Sequence, residues 1–102
     1  MKLKNNFTNK TRNIFLGLWE CWLCGQNGQN TNGLELHHIR GRDSKSPLNA
    51  AILCGVCHSH CGHNQEEERK LLQKTARFLC RIDYKFNVND LKFYAKNKKL
   101  YN

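Results

Sequence analysis

Two Cys-x-x-Cys pairs, Cys21/Cys24 and Cys54/Cys57, constrain this chain more than any other feature. Two such knuckles folded together present four thiolates tetrahedrally to a Zn²⁺ ion. The chain has 6 cysteines, and an even count in a small secreted protein also suits disulfides. A single Cys-x-x-Cys suits a redox pair. The doubled spacing favours structural zinc over both. The apolar stretch 14–19 is too short for the core of a secretory signal and follows several polar residues. With no export signal legible, the expected compartment is a reducing cytoplasm, where thiols persist.

Length sharpens the case for a metal. At 102 residues the chain suits a single domain. A domain of that size buries only about 60–65% of its unfolded surface. A structural zinc site carries roughly 10–16 kcal/mol of apparent binding energy and can offset a poor core. The 17 Lys and Arg outnumber the 8 Asp and Glu, for a formal net charge of +9. That surplus favours a polyanionic partner, because each cation set against a phosphate releases a counterion. The bland alternative is a solvated surface. No apolar run reaches the roughly 18 residues of a membrane helix. No basic amphipathic helix with a large apolar face is evident, which makes a membrane surface the weaker partner.

Along the chain, residues 1–6 are polar and lysine-rich and read as a frayed end. Ile14, Phe15, Leu18 and Trp19 predict a short amphipathic helix within 8–19, against the breaker Gly17. Residues 25–33 are rich in Gln, Asn and Gly and read as a loop. Leu34 and Leu36 alternate with polar neighbours and predict a strand over 34–39. A polar turn over 41–47 leads to a second strand over 49–53, closed by Cys54. A helix is expected to start at Gly55. Asn64-x-x-Glu67 is a capping-box pattern, followed by Leu71, Leu72, Thr75, Phe78, Leu79 and Ile82 at helical steps. Cys80 beside that stripe reads as an inert packed thiol. Asn89 is the expected cap of a last helix bearing Leu91, Phe93 and Tyr94. Trp19 and Trp22 flank Cys21 and read as a cover for the zinc site.

The 29 residues between the knuckles (25–53) exceed the roughly 15–20 of a plain zinc ribbon. The surplus fits a two-stranded hairpin, and it carries His37, His38 and Asn49, with His58 just past the last knuckle cysteine. Neighbouring strand residues face opposite ways, so one histidine of the pair can bind a metal while the other faces water or substrate. The string Cys21-x-x-Cys24, Leu36-His37-His38-Ile39, Asn49, Leu53-Cys54-x-x-Cys57-His58 resembles the HNH nucleases. Within them it looks like the zinc-containing branch of phages and mobile elements. The resemblance spans about 19–63, a little under half the chain, and leaves a helical C-terminal extension of about 64–97 unmatched.

The resemblance implies a small α+β fold, a ββα-metal core stapled by zinc and flanked by helices. It implies a metal-dependent DNA endonuclease, nicking as its simplest event, with 5′-phosphate and 3′-hydroxyl products. His38 matches the general base that deprotonates water. His37 and His58 match ligands of a catalytic divalent ion, Mg²⁺ or Mn²⁺. Asn49 matches the residue that bonds backbone across the hairpin loop. Cys21, Cys24, Cys54 and Cys57 match the structural zinc site. These roles agree with the chemistry: a divalent ion offsets charge developing on phosphate oxygens, and a neutral imidazole is a suitable base near pH 7.

Bland readings stand beside these. His37 and His38 could be a half-exposed strand pair, Asn49 a turn residue, and His58 a zinc ligand in place of a cysteine. His60, Cys61 and His63 offer further donors nearby. Arg40, Arg42 and Lys45 could grip phosphates flanking the scissile bond, or form a solvated turn. Lys92, Lys96, Lys98 and Lys99 form a basic strip that could extend the contact. The expected partner is double-stranded DNA, bound by a monomer or weak dimer, alone or within a larger phage or mobile-element complex. The competing reading is a zinc-stapled nucleic-acid-binding module or adaptor without catalysis. A protein-interaction zinc domain ranks third, because it leaves the +9 charge unexplained.

Overall fold

The computed structural model describes residues 7–27, 34–41, 44–60 and 64–101. The expectations for residues 1–6, Arg42, Cys61 and His63 lie outside the described residues, as does that for the side chain of His60. The described residues form a small α+β unit of five helices and one two-stranded antiparallel sheet.

Helix α1 (Asn9–Phe15) starts at Thr8, whose side chain accepts the Thr11 N–H at 3.3 Å. It ends a turn earlier than the sequence predicts. Leu18 N–H turns back to the Phe15 carbonyl at 3.1 Å, and Gly17 at this point disfavours further helix. Phe15 is fully buried, but Trp19 is 52% exposed and forms no part of the core. Trp22 packs between Phe15 and Phe78, with ring centroids 6.0 and 5.9 Å away, and so serves the core as well as its knuckle.

Strands β1 (Leu34–His38) and β2 (Ala50–Cys54) pair from Leu34↔Cys54 to His38↔Ala50. Alternation puts Leu34 and Leu36, both buried, on one face and Glu35 and His37 on the other. The second strand starts one residue later than predicted. Pro47–Asn49 forms a 3₁₀ turn, with the Ser46 hydroxyl accepting the Leu48 N–H at 3.1 Å. Proline at the first helical position loses no hydrogen bond, which favours that turn.

Helix α2 (Gly55–His60) follows β2 without a linker. Helix α3 (Gln65–Arg81) is capped as the sequence predicts: the Asn64 side chain accepts the Glu67 N–H at 2.8 Å. Leu71, Leu72, Thr75 and Leu79 are its buried residues, and Thr75 Oγ1 donates to the Ala50 carbonyl at 2.7 Å. Two readings of this helix are corrected. Cys80 is exposed, not packed, because it lies off the 71/72/75/79 face. Ile82, past the helix end, is 44% exposed.

Helix α4 (Val88–Lys96) is capped by Asn87, not Asn89. Asn87 and Asp90 satisfy each other's backbone N–H groups in a full capping box. Phe93 is buried, while Leu91 and Tyr94 are exposed. Helix α5 (Lys98–Tyr101) closes the chain by burying Leu100. One core runs from Phe7 to Leu100 and takes in both cysteine knuckles and the C-terminal helices. Among the described residues no helix is long and apolar enough to cross a membrane.

Candidate functional site

The first knuckle is built by a tight turn in which Gly25 N–H bonds the Cys21 carbonyl at 2.9 Å. Gly25 has φ +77°, a conformation that glycine adopts without the steric cost of a Cβ. Trp22 N–H bonds the Ile52 carbonyl at 2.9 Å and so docks this knuckle on β2. The second knuckle is the junction of β2 and α2, where Cys57 N–H points at Cys54 Sγ at 3.4 Å. The four sulfurs of Cys21, Cys24, Cys54 and Cys57 all lie within 4.8 Å of one another. Cys24 and Cys54 are 3.8 Å apart. Sulfurs at the corners of a tetrahedron, each about 2.3 Å from a central zinc, are about 3.8 Å apart. The cluster is compatible with a structural metal site.

The charges of the sulfurs point the same way. Burial alone would raise the Cys21 thiol, but backbone hydrogen bonds, those of Cys24 and Cys54 foremost, outweigh it and bring its pKa to about 7. Burial, then the crowding of the other three sulfurs, pushes the Cys57 thiol far up. Thiolates this close repel one another, and a divalent cation between them removes that repulsion.

A second cluster forms where α2 crosses the face of β1 that carries Glu35 and His37. The ring of His58 stands edge-on to that of His37, centroids 5.1 Å apart at 74°. His58 Nδ1 lies 2.5 Å from Glu35 Oε1. His37 is buried, and Glu35 and His58 are about one-third exposed above it. The structure thus brings together two of the predicted histidines and adds an acid. Glu35 was missed as a site residue, although its position two before His37 already assigned it to the same strand face. Among the described residues the four cysteines are the one set of three or more ligands close enough to share an ion. Glu35, His37 and His58 are not close enough to share an ion as a set of three; what the structure shows of them is the edge-on contact of the two rings and the Glu35–His58 bond.

His38 follows on the opposite side of the strand. Its ring lies flat on Phe7, centroids 3.9 Å apart at 9°. Sequence reasoning gave no role to Phe7, which stands just before the α1 cap. Asn49 is fully buried at the loop end of the hairpin. Its Oδ1 accepts the Arg40 N–H at 2.8 Å, and its Nδ2 donates to the carbonyls of Gly41 (2.8 Å) and Ser44 (3.0 Å). Its own carbonyl accepts the Ile39 N–H at 2.8 Å. These bonds clamp the chain immediately after the two histidines, and Gly41 makes the turn at φ +90°.

Arg40 is exposed and at the same time bonded within the fold. Its Nε donates to Asn97 Oδ1 at 3.0 Å and its Nη1 pairs with Glu68. It ties the hairpin end to α3 and to the α4–α5 junction. Lys45 is exposed.

Comparison with family models, with curated proteins and with solved structures finds no match to this chain.

Proposed function

We propose that the protein is a metal-dependent DNA endonuclease of the HNH type, with its hairpin and α2 serving as a ββα-metal core. The observation that carries this reading is the edge-on contact of the His37 and His58 rings beside Glu35, on β1 and α2, whose neighbour β2 joins them at the cysteine cluster. Zinc is the ion that suits four sulfurs at these separations. His37 and His58 would hold Mg²⁺ or Mn²⁺, and such an ion supplies Lewis acidity toward phosphate oxygens. Glu35, bonded to His58 Nδ1, leaves Nε2 of that ring as its outward donor. Asn49 holds the loop that follows the histidine pair. His38, its ring plane set by Phe7, would take the proton of the attacking water. The net charge of +9 suits a DNA substrate.

One observation favours a second reading. His38 faces Phe7 on the opposite side of β1 from His37 and His58. A zinc-stapled module that binds nucleic acid without cutting it has no need of a shared focus.

A supercoiled-plasmid assay separates the two. Nicking should appear with Mg²⁺ or Mn²⁺, be absent without added ion, and fall by about 10²–10⁴ in His38→Ala, the usual worth of a general base. Retardation of the plasmid without cleavage under any of these ions would establish the binding module instead.

A further inference from the structure

A groove of about 700 Å³ lies between α1, the loop after β1 and α4. Its lining includes five cations: Lys10 of α1, Arg40 and Lys45 of the loop, and Lys92 and Lys96 of α4. Lys92 and Lys96 are four residues apart and share one helix face. Among the described lining residues the sole acid is Asp90, which is 1% exposed. Its oxygens are spent inside the fold: Oδ1 accepts from Ser46 Oγ at 2.5 Å, and Oδ2 from the Tyr84 hydroxyl at 2.8 Å and the Asn87 N–H at 2.9 Å. Arg40 is committed to Glu68 and Asn97. The four lysines are exposed and make no ion pair with a described residue.

Three segments far apart in sequence thus bring five cations to one cavity against one described acid, the buried Asp90, which pairs with none of them. Such a surface repels itself and attracts an external polyanion. Lysines placed as point charges among hydroxyls and amides suit phosphate oxygens and read no base sequence. The groove also abuts the candidate base: Thr8 lines it, and the preceding Phe7 carries the His38 ring.

We propose that this groove binds the phosphodiester backbone of duplex DNA and leads it past His38. The path past His38 rests on the nuclease reading; the binding itself rests on the groove's charge.

The test is fluorescence anisotropy of a fluorescein-labelled 20-base-pair duplex with the zinc-loaded full chain and no added Mg²⁺ or Mn²⁺. The groove variant is Lys10→Gln/Lys92→Gln/Lys96→Gln. The control, Lys70→Gln/Arg77→Gln/Lys85→Gln, removes the same charge from exposed sites off the groove and off the C-terminal basic strip. At 0.1 M salt the groove variant should bind about 10-fold more weakly or worse, and the control within about 2-fold of wild type. The slope of log affinity against log salt should flatten by about 2–3 in the groove variant, near 0.9 per lost phosphate contact. Matched thermal unfolding of the three proteins, and the single change Lys45→Gln, guard against a folding artefact. Equal weakening in both triple variants, or none in the groove variant, overturns the proposal. The plasmid assay keeps the two ideas apart. Groove-dependent binding without any nicking by wild type removes the nuclease and leaves the groove. Nicking with groove-independent binding does the reverse.

Discussion

Glu35 and His37 share a face of β1 because side chains repeat every second residue along a strand. His58 reaches that face from the first turn of α2, and the carboxylate then fixes which imidazole nitrogen points away from it. Partners of this kind typically change metal affinity by 10–100-fold when removed. Glu35→Gln keeps the side chain's size but not its charge. The Mn²⁺ concentration for half-maximal nicking should rise by about 10–100-fold, with bound zinc unchanged. An unaltered Mn²⁺ requirement would deny Glu35 any part in positioning His58. The four cysteines were legible from their spacing, and the histidines and Asn49 became candidates through the resemblance of their string to the HNH pattern. Glu35 was not, because an acid on a strand is ordinarily a solvent-facing residue. Only the crossing of α2 makes it a partner. Phe7 was invisible for the same reason: its value lies in stacking on a residue 31 positions further along, 38 minus 7.

At the scale of elements, local chemistry foretold most helix starts and misplaced some ends. The Asn64 cap was readable because Glu67 stands three residues on. Asn87 offered the same signal in Asp90, yet Asn89 sits so close that residue type alone does not choose between them. The reciprocal bonds of the Asn87–Asp90 box decide it. The α1 end was overrun because Leu18 and Trp19 continue the apolar period past Gly17. The Asp90 hub also carries a pH signature. Burial, then its hydrogen bond to Asp90, raises the Tyr84 hydroxyl from 10.0 to about 12. A group raised in the folded state contributes its stability fully below its unfolded pKa, and loses it as pH climbs through the folded one. The Tyr84 contribution should therefore be intact below pH 10 and fade between 10 and 12. Across that window, urea unfolding should show wild type losing more stability than Tyr84→Phe. Parallel losses in the two proteins would contradict the assignment.

For the whole molecule, the cysteine cluster lies at the junction of three parts of the one core. The first knuckle, β2 and α2 meet at four sulfurs, and both candidate ligand histidines depend on that junction. A zinc site worth roughly 10–16 kcal/mol is comparable in size to the whole net stability of an ordinary domain, about 5–15 kcal/mol. Protein freed of metal, or carrying Cys57→Ser, should lose its cooperative thermal transition. A sharp transition retained by metal-free protein would show that the core suffices alone. The sequence pointed to the staple and offered the Lys92 and Lys96 strip as an extension of the Arg40–Lys45 contact. It gave no sign that Lys10 of α1 joins them in one groove.

The proposal rests on two centres of different chemistry: sulfurs to hold the fold, and imidazoles to hold a working ion. The most direct measurement is electron paramagnetic resonance of Mn²⁺ titrated into zinc-loaded protein, in the presence of a duplex whose phosphorothioate linkages resist cleavage. The account predicts one bound Mn²⁺ per chain, lost in His58→Ala while zinc stays at one per chain. Mn²⁺ that binds His58→Ala as well as wild type, or that binds neither, would contradict it.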